Sequence, residues 1–186
     1  MSSNILNSHH LLKSEECLLV VIDMQERLLP AMTHRDSVAE NVKRLVSFSA
    51  IIGLPLLVTE QEKLGSTVPD VLQQRQDSRP ISKISFNCFD CDEFADAVRR
   101  SGKTALVLTG LEAHICVAQT ALHALEHFRV HVVRDGVSSR TVSNWETALE
   151  RMRAAGVTIT STEMVIYELL KKAGTEEFKK TLPLVK

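Results

Sequence analysis

The sequence predicts an α/β protein, built as three layers around a doubly wound, mainly parallel sheet of six strands. Three observations carry this. Six short apolar runs alternate with stretches of helical periodicity. Four of those runs are almost unbroken Leu, Val and Ile, the composition of strands covered on both faces. The 186 residues also contain no repeat, low-complexity tract or linker, a length and texture that suit one domain. Strand and helix in such alternation close into an open, Rossmann-like sheet.

In chain order, the runs cover residues 17–23, 54–60, 81–84, 104–110, 130–135 and 157–161. Helical patterns fall between them at 36–52, 91–101, 114–128 and 143–155, with a further one at 162–173. Asp36 and Ser143 fit helix N-caps, while Gly53, Gly102 and Gly156 stand where helices should stop. Residues 61–80 differ. They are polar, punctuated by Gly65, Pro69 and Pro80, and read as a loop with one short helix starting near Pro69. The domain is expected over 15–186, behind a flexible N-terminal tail at 1–14 that contains His9 and His10.

Composition excludes several classes. Lys plus Arg number 22 against 23 Asp plus Glu, a net charge of −1. That balance leaves no basic footprint for nucleic acid or an anionic membrane, so neither is expected as a partner. No run approaches the roughly 18 apolar residues of a membrane span. The polar start lacks the basic region and apolar core of a secretion signal. Four scattered cysteines do not form a disulfide framework, and a cytoplasmic location is expected.

Open α/β sheets bind ligands outside the carboxyl ends of their strands. Three reactive side chains stand at such ends. Asp23 follows CLLVVI, where burial would make a carboxylate a usable base; the other reading is an ordinary helix cap. Cys116 falls in the first turn of the helix after the fourth strand, where free N–H groups favour a thiolate and could hold an oxyanion. An inert core cysteine is its alternative. Lys83 lies between Ile81 and Ile84, either paired with Asp23 and lowering the thiol pKa or exposed on an edge strand.

The stretches IDMQERLLP, KISF and TGLEAHICV, in that order and spacing, resemble the isochorismatase-like cysteine hydrolase family, over about residues 15–170. VTEQEKLGSTVPD and RVHVVRDGVSSR resemble its isochorismatase domain-containing branch. The resemblance implies a catalytic triad of Asp23, Lys83 and Cys116. It also implies a cis peptide between Leu111 and Glu112, with the Glu112 and Cys116 N–H groups as oxyanion hole. The implied activity is hydrolysis of a small molecule at an amide, ureido or other C–N bond through a thioester, by a homo-oligomer (a dimer, tetramer or larger assembly). An isochorismatase-type vinyl-ether hydrolase and a non-catalytic interaction protein on the same fold are the alternatives.

Departures from the family pattern sharpen the expectation. A nicotinamidase-type metal site would need Asp-x-His after the second strand. Glu60, Gln61 and Glu62 stand there instead, with no histidine between His34 and His114, so no metal and no cofactor are expected. Leu28 replaces the aromatic that the family carries five residues after its aspartate. Phe86 and Phe89 could supply that pocket wall or pack in the core, and His114 is a candidate pocket residue. His123 and His127 have H-x-x-E-H spacing, and Cys88 and Cys91 have C-x-x-C spacing, but neither has the further ligands of a metal site. Trp145 and Tyr167 fit packing or a subunit contact.

Overall fold

The computed structural model describes residues 11–73 and 75–186. The six strands form one sheet, every pair parallel: β1 (Cys17–Ile22), β2 (Leu56–Gln61), β3 (Ile81–Lys83), β4 (Ala105–Leu111), β5 (Arg129–Ser138) and β6 (Thr158–Thr160). Their spatial order is β3-β2-β1-β4-β5-β6. The chain therefore winds outward in both directions from β1 and β4. A crevice opens between those two strands at their carboxyl ends.

Alternation along the strands builds the layers. Leu18, Val20 and Ile22 of β1, with Leu106 and Leu108 of β4, face α3 (Asp92–Ser101), α4 (Ala118–Ala124) and α5 (Val142–Ala154). Leu19, Val21 and Val107 face α1 (Arg35–Ile52), α6 (Thr162–Leu170) and α7 (Glu176–Val185). The short α2 (Pro69–Leu72) starts at the proline that marked it. Both faces of β1 and β4 are fully covered, which is why their sequences read as continuous apolar runs.

Several element ends differ from expectation. The cap of α1 is His34, in left-handed backbone at φ 52, and Asp36 lies inside the first turn. The cap of α5 is Thr141, which accepts from the Asn144 N–H at 3.2 Å; Ser143 is already helical. Gly53 and Gly102 do end helices, at φ 67 and 63. Helix α6 stops at Leu170 because Lys171 turns to φ 63. Helix α7, containing Pro183, had no counterpart in the periodicity; Leu184 and Val185 dock it on the core. Of the tail expected at 1–14, residues 1–10 with His9 and His10 lie outside the described residues. Leu12 is buried, and its N–H donates to Glu168 at 2.9 Å, so this part of the expected tail is packed on the domain.

One position governs the crevice. Gly110 has φ 120, and a Cβ there would stand 1.9 Å from the Ile22 carbonyl oxygen of the paired strand. Only glycine permits that approach. The pairing of β4 with β5 also shifts register between Leu108 and Gly110, which aims the following residues across the end of β1.

Candidate active site

Asp23 leaves β1 in left-handed backbone at φ 52, turning its carboxylate into the crevice. The residue is wholly buried and is not a helix cap. Its Oδ1 accepts from Thr59 Oγ1 at 2.8 Å, and its Oδ2 accepts from Lys83 Nζ at 2.7 Å. Lys83 belongs to the edge strand β3, yet points inward and is only 2% exposed. The exposed-edge reading of Lys83 is therefore wrong. Its ammonium also donates to Gln61 Oε1 (2.8 Å) and the Ser85 carbonyl (3.2 Å), with Cys116 Sγ 3.7 Å away. Three residues spread over 94 positions thus meet at one rim of the sheet.

Cys116 enters from a π-helical turn (Ala113–Val117) that precedes α4 and is closed by the Val117 N–H on the Glu112 carbonyl. Such one-residue expansions recur at functional sites because they re-aim a side chain. The peptide between Leu111 and Glu112 is not cis, contrary to expectation; no cis bond occurs among the described residues, and the chain bends at Gly110 instead.

The electrostatics also correct the expectation of a ready thiolate. Burial first, then the Asp23 carboxylate, push the Cys116 thiol up to about 12; Lys83 pulls the other way and is outweighed. The resting sulfur is therefore a neutral thiol, held beside the Asp23–Lys83 pair with the Lys83 ammonium 3.7 Å from it. Burial works against the Lys83 ammonium, but Asp23, then Cys88 and Cys116, more than compensate and its pKa is raised. Cys88, read from the sequence only as half of an isolated C-x-x-C, lies buried behind this group with its thiol pushed up to about 11, chiefly by burial.

A cavity of about 230 Å³ opens over the sulfur. Leu28 and Phe86 line it, with Leu64, Ile115, Gln61, Glu112 and Arg140. Phe89 does not. It packs edge-on against Phe94 (5.2 Å) and stacks on His123 (4.9 Å), because its 3-10 turn faces α3 and α4. His114 is not among the lining residues either; its Nδ1 lies 2.9 Å from Ser139 Oγ and 3.4 Å from Glu112 Oε2. Arg140 was missed. Its Nε donates to Glu112 Oε1 at 2.5 Å across 28 residues, a spacing that carries no sequence signal. Gln25 was missed too. Wholly buried, it donates to the Gln61 and Gly65 carbonyls and accepts from the Gln61 N–H, tying the loop after β1 to that after β2.

The discounted motifs do not assemble. Helix α4 ends at Ala124, so His127 lies beyond it and shares no helix face with His123. All four cysteines are free, and no cluster of three His, Cys, Asp or Glu suited to a metal occurs among the described residues. Trp145 donates to the Val137 carbonyl and carries Arg134 4.4 Å over its ring. Tyr167 is exposed on α6. No helix of the described residues is long and apolar enough to cross a membrane.

Residues 17–164 match the isochorismatase domain model. A secreted isochorismatase effector of Phytophthora sojae is 35% identical, covering 91% of this chain and 84% of the relative. Mouse isochorismatase domain-containing protein 2A is 31% identical, covering 92% and 84%. Among solved structures, the MAR1 ribonuclease of Caenorhabditis elegans superposes with TM-score 0.88 at 29% identity, covering 95% of this chain and 92% of that one. The Escherichia coli YcaC product, described as an octameric hydrolase of unknown specificity, superposes at 0.85 and 26%, covering 95% and 88%.

Proposed function

The chain belongs to the isochorismatase family, and on that premise we propose that it is a metal-independent cysteine hydrolase cleaving an amide, ureido or other C–N bond of a small molecule. The observation that carries the reading is the contact of Asp23, Lys83 and Cys116 beneath a cavity of about 230 Å³. A neutral thiol in a crevice shared with a buried carboxylate is a nucleophile with its base close by.

In the proposed reaction, Asp23 takes the thiol proton as the sulfur bonds to the substrate carbon. The Cys116 N–H holds the oxygen as it gains charge; the Glu112 N–H was implied as its companion through a cis peptide that this structure does not have. Collapse expels the amine, which leaves with the proton from Asp23, and Cys116 remains as thioester. Asp23 then deprotonates water, which attacks the thioester, and the acid departs as sulfur recovers its proton. Lys83 keeps the carboxylate oriented and offsets negative charge on sulfur.

The cavity supports a small substrate rather than a nucleic acid. It is lined by Leu28, Leu64, Phe86 and Ile115 and holds no row of cations for a phosphate backbone. A cytoplasmic homo-oligomer is part of the same proposal, supported by four free thiols and by the octameric E. coli neighbour. The test is a panel of amides, ureides and nitriles run on wild type and Cys116→Ala together. Turnover should appear in the first and vanish in the second, with an acyl adduct on Cys116 in quenched samples. A Cys116→Ala enzyme as active as wild type refutes covalent catalysis.

A further inference from the structure

The four formal charges around the cavity cancel. Asp23 is paired with Lys83 at 2.7 Å and Glu112 with Arg140 at 2.5 Å. The Lys83 ammonium already faces four acceptors, on Asp23, Gln61, Ser85 and Cys116, and its side chain has no exposed surface, so it has nothing to offer a ligand. Arg140 is different. Its side chain is 57% exposed, and among the described residues its only hydrogen bond is the one from Nε. Both Nη groups are left as free donors on a half-exposed side chain that lines the cavity, whose wall is apolar at Leu28, Leu64, Phe86 and Ile115 and polar at Asp23 and Gln61.

Glu112 points the same way. Its side chain is only 7% exposed and its Oε2 is buried without a hydrogen-bond partner. The nearest candidate, His114 Nδ1, is 3.4 Å off and engaged with Ser139 Oγ. Burying a carboxylate with half of it unsatisfied costs stability that packing alone would not require. What the placement secures is the orientation of Arg140.

We propose that Arg140 reads the substrate, that Glu112 positions it, and that the group read is an uncharged carbonyl oxygen. The substrate class is then a small neutral compound with a second carbonyl beside the scissile one, such as an acylurea or dicarboxamide. This rests on the cysteine-hydrolase reading and narrows its substrate. Charge selects the class. An anion would add −1 to a site whose charges sum to zero, in a cavity that the Asp23 carboxylate also lines. A carbonyl accepts from Nη without that penalty.

Two alkylating probes test this without a substrate. Iodoacetamide is neutral with a carbonyl acceptor, and iodoacetate is its anionic counterpart. Their rates at Cys116 are followed by peptide mass spectrometry at one mildly alkaline pH, and their ratio is divided by the same ratio for glutathione. In wild type the normalised ratio should favour iodoacetamide by about tenfold or more, the cost of bringing a second negative charge beside the Asp23 carboxylate in a partly screened site. Glu112→Gln, nearly isosteric, leaves the site at +1 and should lower the ratio at least about tenfold. Arg140→Ala should slow iodoacetamide by about tenfold; Arg140→Lys, which keeps the charge without the fork, serves should the alanine variant not fold. A normalised ratio near one in wild type, or one unmoved by Glu112→Gln, overturns the proposal while leaving the hydrolase reading standing. A Cys116 that reacts with neither probe overturns both.

Discussion

Asp23→Asn should separate the acidity of the nucleophile from its catalytic use. The asparagine keeps the shape of the side chain and removes one charge and one acceptor. In the native site that carboxylate is, after burial, the largest of the influences that push the Cys116 thiol up to about 12. The Lys83 ammonium is 2.7 Å from Asp23 and 3.7 Å from the sulfur. Once the carboxylate is gone, the Cys116 and Cys88 sulfurs are the groups near the ammonium that can become its counter-ion, and the Cys116 sulfur lies 3.7 Å from it. An adjacent charge moves a pKa by roughly 1–3 units, so the thiol should titrate near about 10 rather than 12. At pH 8 that raises the thiolate fraction by about a hundredfold. Turnover should nevertheless fall by about 10²–10⁴, because nothing remains to carry the proton. The assay is the pH profile of iodoacetamide alkylation at Cys116, beside turnover on any accepted substrate, with circular dichroism to confirm folding. The reasoning is refuted if the profile of Asp23→Asn lies at or above that of wild type, or if turnover persists.

Two further predictions concern the scaffold. Gly110→Ala puts a methyl 1.9 Å from the Ile22 oxygen at a φ of 120, so β4 must separate from β1. A loss of more than about 3 kcal/mol is expected, read as a fall in Tm of about 10 °C or as insoluble protein; a variant as stable as wild type would mean that this strand pair is looser than described. His131, buried in β5, has its pKa lowered to about 4 from 6.5, first by burial and then by Arg129. Above pH 6.5 the imidazole is neutral folded or unfolded and contributes nothing to the pH dependence. Between 6.5 and 4 only the unfolded chain takes the proton, so stability should drop by about 3 kcal/mol across that window and level off below it. Urea midpoints from pH 7 to 4 should show this slope in wild type and a flatter one in His131→Leu; equal slopes would remove His131 as the cause.

The architecture was legible because burial on two faces leaves a direct mark on composition. CLLVVI and ALVLTGL can be little else than central parallel strands, and glycine at 53 and 102 ends helices for a reason internal to glycine. Asp23 and Lys83 were legible as anomalies, since a charge inside an apolar run demands a partner. Helix α7 was not, because its stability comes from Leu184 and Val185 docking on a core assembled elsewhere.

What the site does with its residues was decided in three dimensions. The sequence alone placed Cys116 at the start of a helix near a lysine, from which a lowered pKa follows. Asp23 was read there too, as the partner of that lysine; the fold buries the sulfur, and burial together with the carboxylate outweighs the lysine and reverses the sign. Phe89 and His114 stood at the right positions in the chain but face other neighbours. The pairing of Glu112 with Arg140 had no local trace. Burial of one chain segment is written in its own composition, whereas distance and charge balance between two segments depend on the sheet register and on the close passage at Gly110 that sets it.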